Sequence, residues 1–180
     1  MDLNVNMGPK RGESFTSGSL AHLLGLQRAF KDMTGPLSTD TLRSERPVWC
    51  QLVKNRKGAA ILPGQLLVWK AGYGGIGVDL AAATAAQLIV GVADWMLPTA
   101  GVADGEYFWM VTKGPTKFIN DANATLSEFA ALMVSPSVAG SVRAATGDTM
   151  VAINSQVGIA EASILASATG YGFFKAPFNG

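Results

Sequence analysis

The chain is poor in cysteine, histidine and charge. Cys50 stands alone among 180 residues, so no intrachain disulfide can form and a disulfide-stapled secreted scaffold is excluded. His22 is equally alone, and a zinc site or a catalytic triad built on histidine has no second imidazole to draw on. Only 15% of residues are charged, against roughly 25% in typical soluble chains. No five like charges follow one another, so the usual signature of a nucleic-acid arm is missing. Long apolar runs are missing too. The longest charge-free stretches are Leu80–Ala93, Phe129–Val142 and Ala162–Phe174, all short of the roughly 18–20 residues of a spanning helix. The start carries Asp2 and no apolar segment behind a basic one, unlike a signal peptide. These absences predict a soluble chain made in a reducing compartment, with no membrane or direct nucleic-acid partner.

Apolar residues (48%) and glycine (21 residues) are abundant instead. Such a chain can bury a large core, and its surface has little charge to solvate it. Burial against other subunits accounts for this, as does one large core. The net charge of +1 conceals an asymmetry. Residues 1–60 carry nine Lys/Arg and five Asp/Glu, while residues 61–180 carry five and eight.

Residues 1–46 read as an N-terminal arm and 47–180 as a β-rich domain. The arm opens polar, with Lys10 and Arg11 beside Pro9. A short helix is predicted over about 19–33, capped by Ser17 or Ser19, with Leu20, Leu23, Leu24 and Phe30 near one face. Gly25 weakens it and Thr34-Gly35-Pro36 ends it. Beyond Pro47 the grammar is short strand, Gly/Pro/Asn/Asp turn, short strand. Strands are expected at Val48–Val53, Ala59–Leu62, Gln65–Ala71, Gln87–Ala93, Phe129–Val134, Met150–Ile153, Val157–Ala160 and Tyr171–Phe174. Glu106–Phe118 reads as an aromatic hairpin, Tyr107–Thr112 reversed by Gly114-Pro115. Turn signals every 8–12 residues predict a mainly β fold, a compact barrel-like or sandwich domain. Gly91–Asp94 and Gly101–Asp104 repeat the letters GVAD, as two similar exits from strand to turn.

Candidate chemistry is thin. Gly72, Gly74 and Gly77 satisfy a dinucleotide-binding pattern after a strand, with Asp94 at the end of the next one. The helix this needs has only Val78–Gln87 to fit in, while a crossover takes about a dozen residues or more. A flexible loop between strands is the plainer reading. Asp94, Asp104, Glu106 and Asp121 sit at turns, where Asp serves the backbone; a turn-borne calcium site is a minor alternative, since it would have to gather six to eight oxygens from scattered acids. Cys50 beside Trp49 reads as a small buried hydrophobe. Trp49, Trp69, Trp95, Tyr107, Phe108 and Trp109 could stack a sugar or base, or serve as core and subunit anchors. No catalytic, metal or cofactor residue is assigned.

The order of AAILPGQLLVWKAG, LIVGVAD, GEYFWMVTKGPTKF and QVGIAEAS, followed by a short apolar terminus, resembles the capsid decoration (cement) proteins and related small virion structural proteins of tailed bacteriophages, over about residues 47–175. The resemblance implies a small β-barrel-like or β-tulip domain on the outer capsid surface. It would be made in the host cytoplasm, bind the major capsid protein as a trimer or dimer, and lock the shell without catalysis. The N-terminal 46 residues depart from the compact members. Lys10, Arg11, Leu20, Leu23, Leu24, Phe30, Trp109, Phe173 and Phe174 are the expected contacts with capsid or neighbour. A head-fibre base or tail component is the alternative, and a nucleotide-binding enzyme using Gly72–Gly77 a further one.

Overall fold

The computed structural model describes residues 10–16, 18–31, 46–83, 88–145 and 156–175. Among these, the strands are β1 (Ser14–Phe15), β2 (Gln27–Lys31), β3 (Pro47–Asn55), β4 (Leu66–Trp69), β5 (Gly77–Leu80), β6 (Gly91–Ala93), β7 (Tyr107–Ile119), β8 (Ala131–Val134), β9 (Val142–Ala144), β10 (Gln156–Ala160) and β11 (Thr169–Lys175). The chain adopts the mainly β, compact class expected of it.

All strands belong to one hydrogen-bonded system, in the order β2-β3-β5-β4-β6-β7-β11-β10-β8-β9, with β1 on β7 and an additional β3–β7 pairing. That additional pairing closes a ring. β3, β5, β4, β6 and β7 join edge to edge, with β3 and β5 parallel and the other pairs antiparallel. A second ring forms from the C-terminal half of β7 with β11, β10, β8 and β9. A parallel bridge from Asn120 to Val142 closes it. The chain is thus two small barrels that share β7.

The barrels are structural copies. Trp69 opposite Val78 in the first corresponds to Val134 opposite Val142 in the second, and Leu67 opposite Leu80 to Leu132 opposite Ala144. Lys54 opposite Tyr107 corresponds to Ile119 opposite Thr169. The bridge Ile61–Val102 corresponds to Leu126–Ile164. Irregular backbone matches as well. Gly64 and Phe129 share a left-handed φ (81° and 61°), as do Gly105 and Ser167 (84° and 58°). Two buried asparagines clamp the same loop in each barrel. Asn55 Nδ2 donates to the Ala59 and Val102 carbonyls at 2.8 Å, and Asn120 Nδ2 to those of Ala124 (2.8 Å) and Ile164 (3.1 Å). The GVAD of Gly91–Asp94 therefore pairs with Gly158-Ile159-Ala160-Glu161, and not with Gly101–Asp104, which is loop around the Val102 bridge.

Side chains alternate across each wall, as the two-residue strand period requires. Phe108 and Met110 fill the first barrel with Val53, Leu67, Val78 and Ala93, while Trp109 and Val111 point to its outside. The second barrel holds Phe118, Leu126, Leu132, Val142, Ala160 and Ile164. The volumes are redistributed: where the first has Val53, Phe108 and Met110, the second has Phe118, Gly170 and Gly172. A Cβ on Gly172 would lie 2.7 Å from the Phe118 ring. The Phe118 and Phe174 rings, 6.4 Å apart, occupy the room the glycines leave.

Three sequence expectations are overturned. Ala59–Leu62 forms no strand and holds only the isolated Ile61–Val102 bridge. Over the described part of 19–33 the helix gives way to a short 3-10 helix, Gly18–Leu23, followed by strand β2. Gly25, at φ 85°, ends the turn, its N–H donates to the Leu52 carbonyl, and β2 then takes the free edge of β3. A short helix interrupted by glycine is marginal in water, whereas this edge satisfies the same backbone groups. Gly114-Pro115 does not reverse the chain either. β7 runs unbroken through it, and the pair marks the passage from one barrel to the next. Gly114 has φ 117°, and a Cβ there would lie 2.6 Å from the Pro47 carbonyl oxygen. The strand expected at Met150–Ile153 lies outside the described residues. So do the first residues of the arm and most of the linker before Arg46.

Candidate interaction surface

The matching outer faces of the barrels differ in cover. On the first, Leu66, Val92, Trp109 and Val111 are fully buried. The N-terminal segment supplies part of the cover: Leu23 and Phe30 pack on this cluster, and the Phe30 ring meets Trp109 edge-on at 5.2 Å. On the second, Ile159 takes the place of Val92 and is 49% exposed. Phe129 (75%) and Leu165 (66%) also stand exposed on this barrel. Lys117 Nζ lies over Trp95 (4.1 Å) and Tyr171 (4.6 Å), and the Arg46 guanidinium over Phe173 (5.9 Å).

The expected contact residues divide between surface and interior. Lys10 is exposed, while Leu23, Leu24, Phe30 and Phe173 are half-buried. Leu20 lies in the 3-10 turn. Trp109 and Phe174 are fully buried and pack the chain against itself. Arg11 turns inward to Asp94, Nε to Oδ2 at 2.5 Å and Nη2 to Oδ1 at 3.2 Å, with side chains 6% and 0% exposed. Arg46 makes the corresponding pair with Glu161 on the second barrel. The exposed Phe129, Ile159 and Leu165 were missed. Their only sequence signal is that a large apolar residue stands where the first barrel has Gly64, Val92 or Ala103.

The groups that could carry chemistry hold the backbone. Asp104 accepts from Gly58 N–H and Glu106 from Ala103 N–H, both at 2.9 Å. Burial pushes the Cys50 thiol up, reinforced by Asp94, which leaves it an inert hydrophobe. Among the described residues no three His, Cys, Asp or Glu side chains converge. Gly72–Gly77 joins two antiparallel strands, β4 and β5. The strand β5 begins where a nucleotide site needs a helix N-terminus, so the dinucleotide alternative fails on geometry. The six aromatics form no platform: Phe108 and Trp109 face opposite sides of β7, and Trp95 packs on Tyr171 at 6.5 Å.

Asp121 is the most heavily bonded acid of the second barrel. Burial alone would raise its carboxyl. Hydrogen bonds from Ser135 Oγ (2.7 Å) and from the Asn123 N–H and amide (3.0 Å each), together with the Arg143 charge, outweigh that and hold it below its ordinary 3.8. A depressed folded-state pKa gives stability that is complete above the unfolded value and lost as pH falls through the folded one. Asp121→Asn is therefore expected to cost about 1–3 kcal/mol at neutral pH. The gap from wild type in urea titrations should close below pH 3.8; a gap independent of pH would contradict this.

No family model matches the chain, and no curated protein matches it. Among solved structures it is similar to the head fiber gp8.5 N base of bacteriophage phi29, at 13% identity and a TM-score of 0.49, over 70% of this chain and 92% of that one.

Proposed function

We propose that the chain is a non-enzymatic structural component of a tailed-phage virion that binds the outer capsid surface and stabilises the shell. The supporting observation is the division of labour among its side chains. Asn55, Asn120, Asp121 and the Arg11–Asp94 pair hold loops and barrels together, while Phe129, Ile159 and Leu165 stand exposed on one barrel. Phe129 and Leu165 are the two most exposed large apolar side chains among the described residues, and exposed apolar area of this kind marks a contact surface. Two barrels on a shared strand make a stiff tile. Repeated over a symmetric lattice, modest contacts of such a tile act together. The partners are the major capsid protein and copies of the chain itself.

A Phe129→Ser/Leu165→Ser variant is expected to bind heads lacking the protein at least about tenfold more weakly, a loss of about 1.4 kcal/mol, with an unchanged melting temperature. Wild-type binding by this variant would remove the surface from the interface. Electron microscopy of particles decides the location: density tiled over the capsid supports cementing, and density at a fibre base or in the tail moves the chain to that component.

A further inference from the structure

The two barrels interlock through one backbone insertion. Gly140, in the loop between β8 and β9, enters the end of the β4–β5 ladder. Leu66 N–H donates to the Gly140 carbonyl, and Gly140 N–H donates to the Ala81 carbonyl, both at 2.8 Å. Ala81 N–H donates in turn to the Leu66 carbonyl at 2.9 Å. The ladder is opened there by one residue and closed by a glycine of the other barrel. A Cβ on Gly140 would lie 2.4 Å from Leu80 Cδ1 and 3.3 Å from Gln65 Cβ.

The second barrel has the same slot. Ala131 and Ala145 stand where the first barrel has Leu66 and Ala81, and Ala145 N–H donates to the Ala131 carbonyl at 2.8 Å. Among the described residues, no group meets the Ala131 N–H or the Ala145 carbonyl. Ala144 and Ala130 replace Leu80 and Gln65, so the walls stand further back. The first barrel has the matching plug. Within its turn Gly75 holds the place of Gly140, with φ 76° against 73°, one residue further from the strand that follows. Tyr73 C=O accepts from Ile76 N–H as Val138 C=O does from Ser141 N–H. Open space surrounds Gly75, where a Cβ would meet nothing within 4 Å, and Tyr73 is 38% exposed. The Gly75 carbonyl has one long contact, Gln51 Nε2 at 3.4 Å. Among the described residues, each chain therefore carries one plug and one slot joined internally, and one of each left over on opposite barrels.

We propose that copies of this chain associate head to tail, the Gly72–Gly77 loop of one entering the Ala131/Ala145 slot of the next. Gly75 C=O accepts from Ala131 N–H, and Gly75 N–H donates to Ala145 C=O. The wider alanine slot leaves room beside the inserted loop for Tyr73. Such an interface is heterologous: it closes into a ring or continues as a filament. The inference stands without the virion reading, since its test contains no capsid.

The test is disulfide trapping. The 3.3 Å between the Gly140 Cβ position and Gln65 Cβ is close to the roughly 3.5–4.5 Å a disulfide requires. Gln65→Cys/Gly140→Cys is therefore expected to close within one chain. The corresponding pair, Gly75→Cys/Ala130→Cys, is expected to link different chains, giving a ladder on non-reducing denaturing gels. Mixing the two single variants should give covalent dimers that neither forms alone. If the control closes while Gly75→Cys/Ala130→Cys stays monomeric, the proposal is overturned. Should the cysteine variants not fold, sedimentation of the wild-type chain decides. Species heavier than a monomer that grow with concentration support the joint, and a monomer at every concentration refutes it.

Discussion

Arg11→Ala is expected to remove about 3–5 kcal/mol of folding stability, because it leaves a buried carboxylate without its counter-charge. Asp94 has no exposed surface, and among the described residues its carboxylate holds, besides Arg11, the Met96 N–H at 3.1 Å. Arg11 also reaches the Lys31 carbonyl at 3.5 Å, so it ties the end of β2 to the first barrel. Its loss should loosen the seat of Phe30 on Trp109. The second barrel supplies an internal control. Arg46 and Glu161 make the corresponding pair with side chains 36% and 19% exposed, and exposed pairs contribute only about 0–1 kcal/mol. Urea titrations should thus give a large fall in midpoint for Arg11→Ala and a small one for Arg46→Ala. Replacing both Arg11 and Asp94 by leucine should recover most of the loss, since an apolar pair needs no compensation. Equal costs for the two arginines would show that burial is not what separates the pairs.

Strands were legible in the sequence where β-branched and aromatic runs lay between turn signals. β3, β4, β8, β10 and β11 fall within or close to the predicted spans. β5 was missed: Gly77-Val78-Asp79-Leu80 opens on glycine and leads into alanines, a composition that suits a helix as well. Its strand character comes from tertiary placement, since it is held by β4 on one edge and by the end of β3 on the other. Gly114-Pro115 misled for the opposite reason. The pair is a strong turn signal locally, but Pro115 lies within the β7–β11 ladder, opposite Phe173. What the pair permits is a change of barrel without leaving the strand.

The duplication was hidden because what the two halves share is mostly backbone. Identity survives where the backbone demands a particular residue: Asn55 and Asn120 at the loop clamps, Gly91 and Gly158 where strands crowd, and Ala93 and Ala160 beside them. Elsewhere the interior stays apolar without keeping residue identity, a freedom that cores possess. The candidate surface was hidden for a related reason. Arg11, Trp109 and Phe174 looked like contact residues by type, and only the closed topology turns them inward. Ile159, apolar by type, is left outside because nothing described in the second half repeats the N-terminal cover that buries Val92.

The glycine shared by the two halves gives the second large effect. A Cβ on Gly158 would lie 2.1 Å from the Phe173 carbonyl oxygen and 3.3 Å from Phe174 Cα. Both are backbone atoms of β11, so Gly158→Ala has no flexible side chain to displace. It can be accommodated only by parting β10 from β11, which strains the wall of the second barrel. Overpacking ordinarily costs about 1–3 kcal/mol, and this variant is expected above that range, with a lost or molten second barrel. Gly91→Ala makes the same change in the first barrel, but its closest clash is with Met110 Cγ and Sδ, at 2.3 and 2.4 Å, and the nearest backbone atom, Val111 O, is 2.8 Å away. Methionine can change rotamer and yield. Thermal and urea unfolding should therefore rank Gly158→Ala as more damaging than Gly91→Ala, and Gly91→Ala/Met110→Ala should be milder than the two single costs added together. The opposite ranking would mean that β11 gives way more readily than a buried methionine, which would make the second barrel the softer of the two.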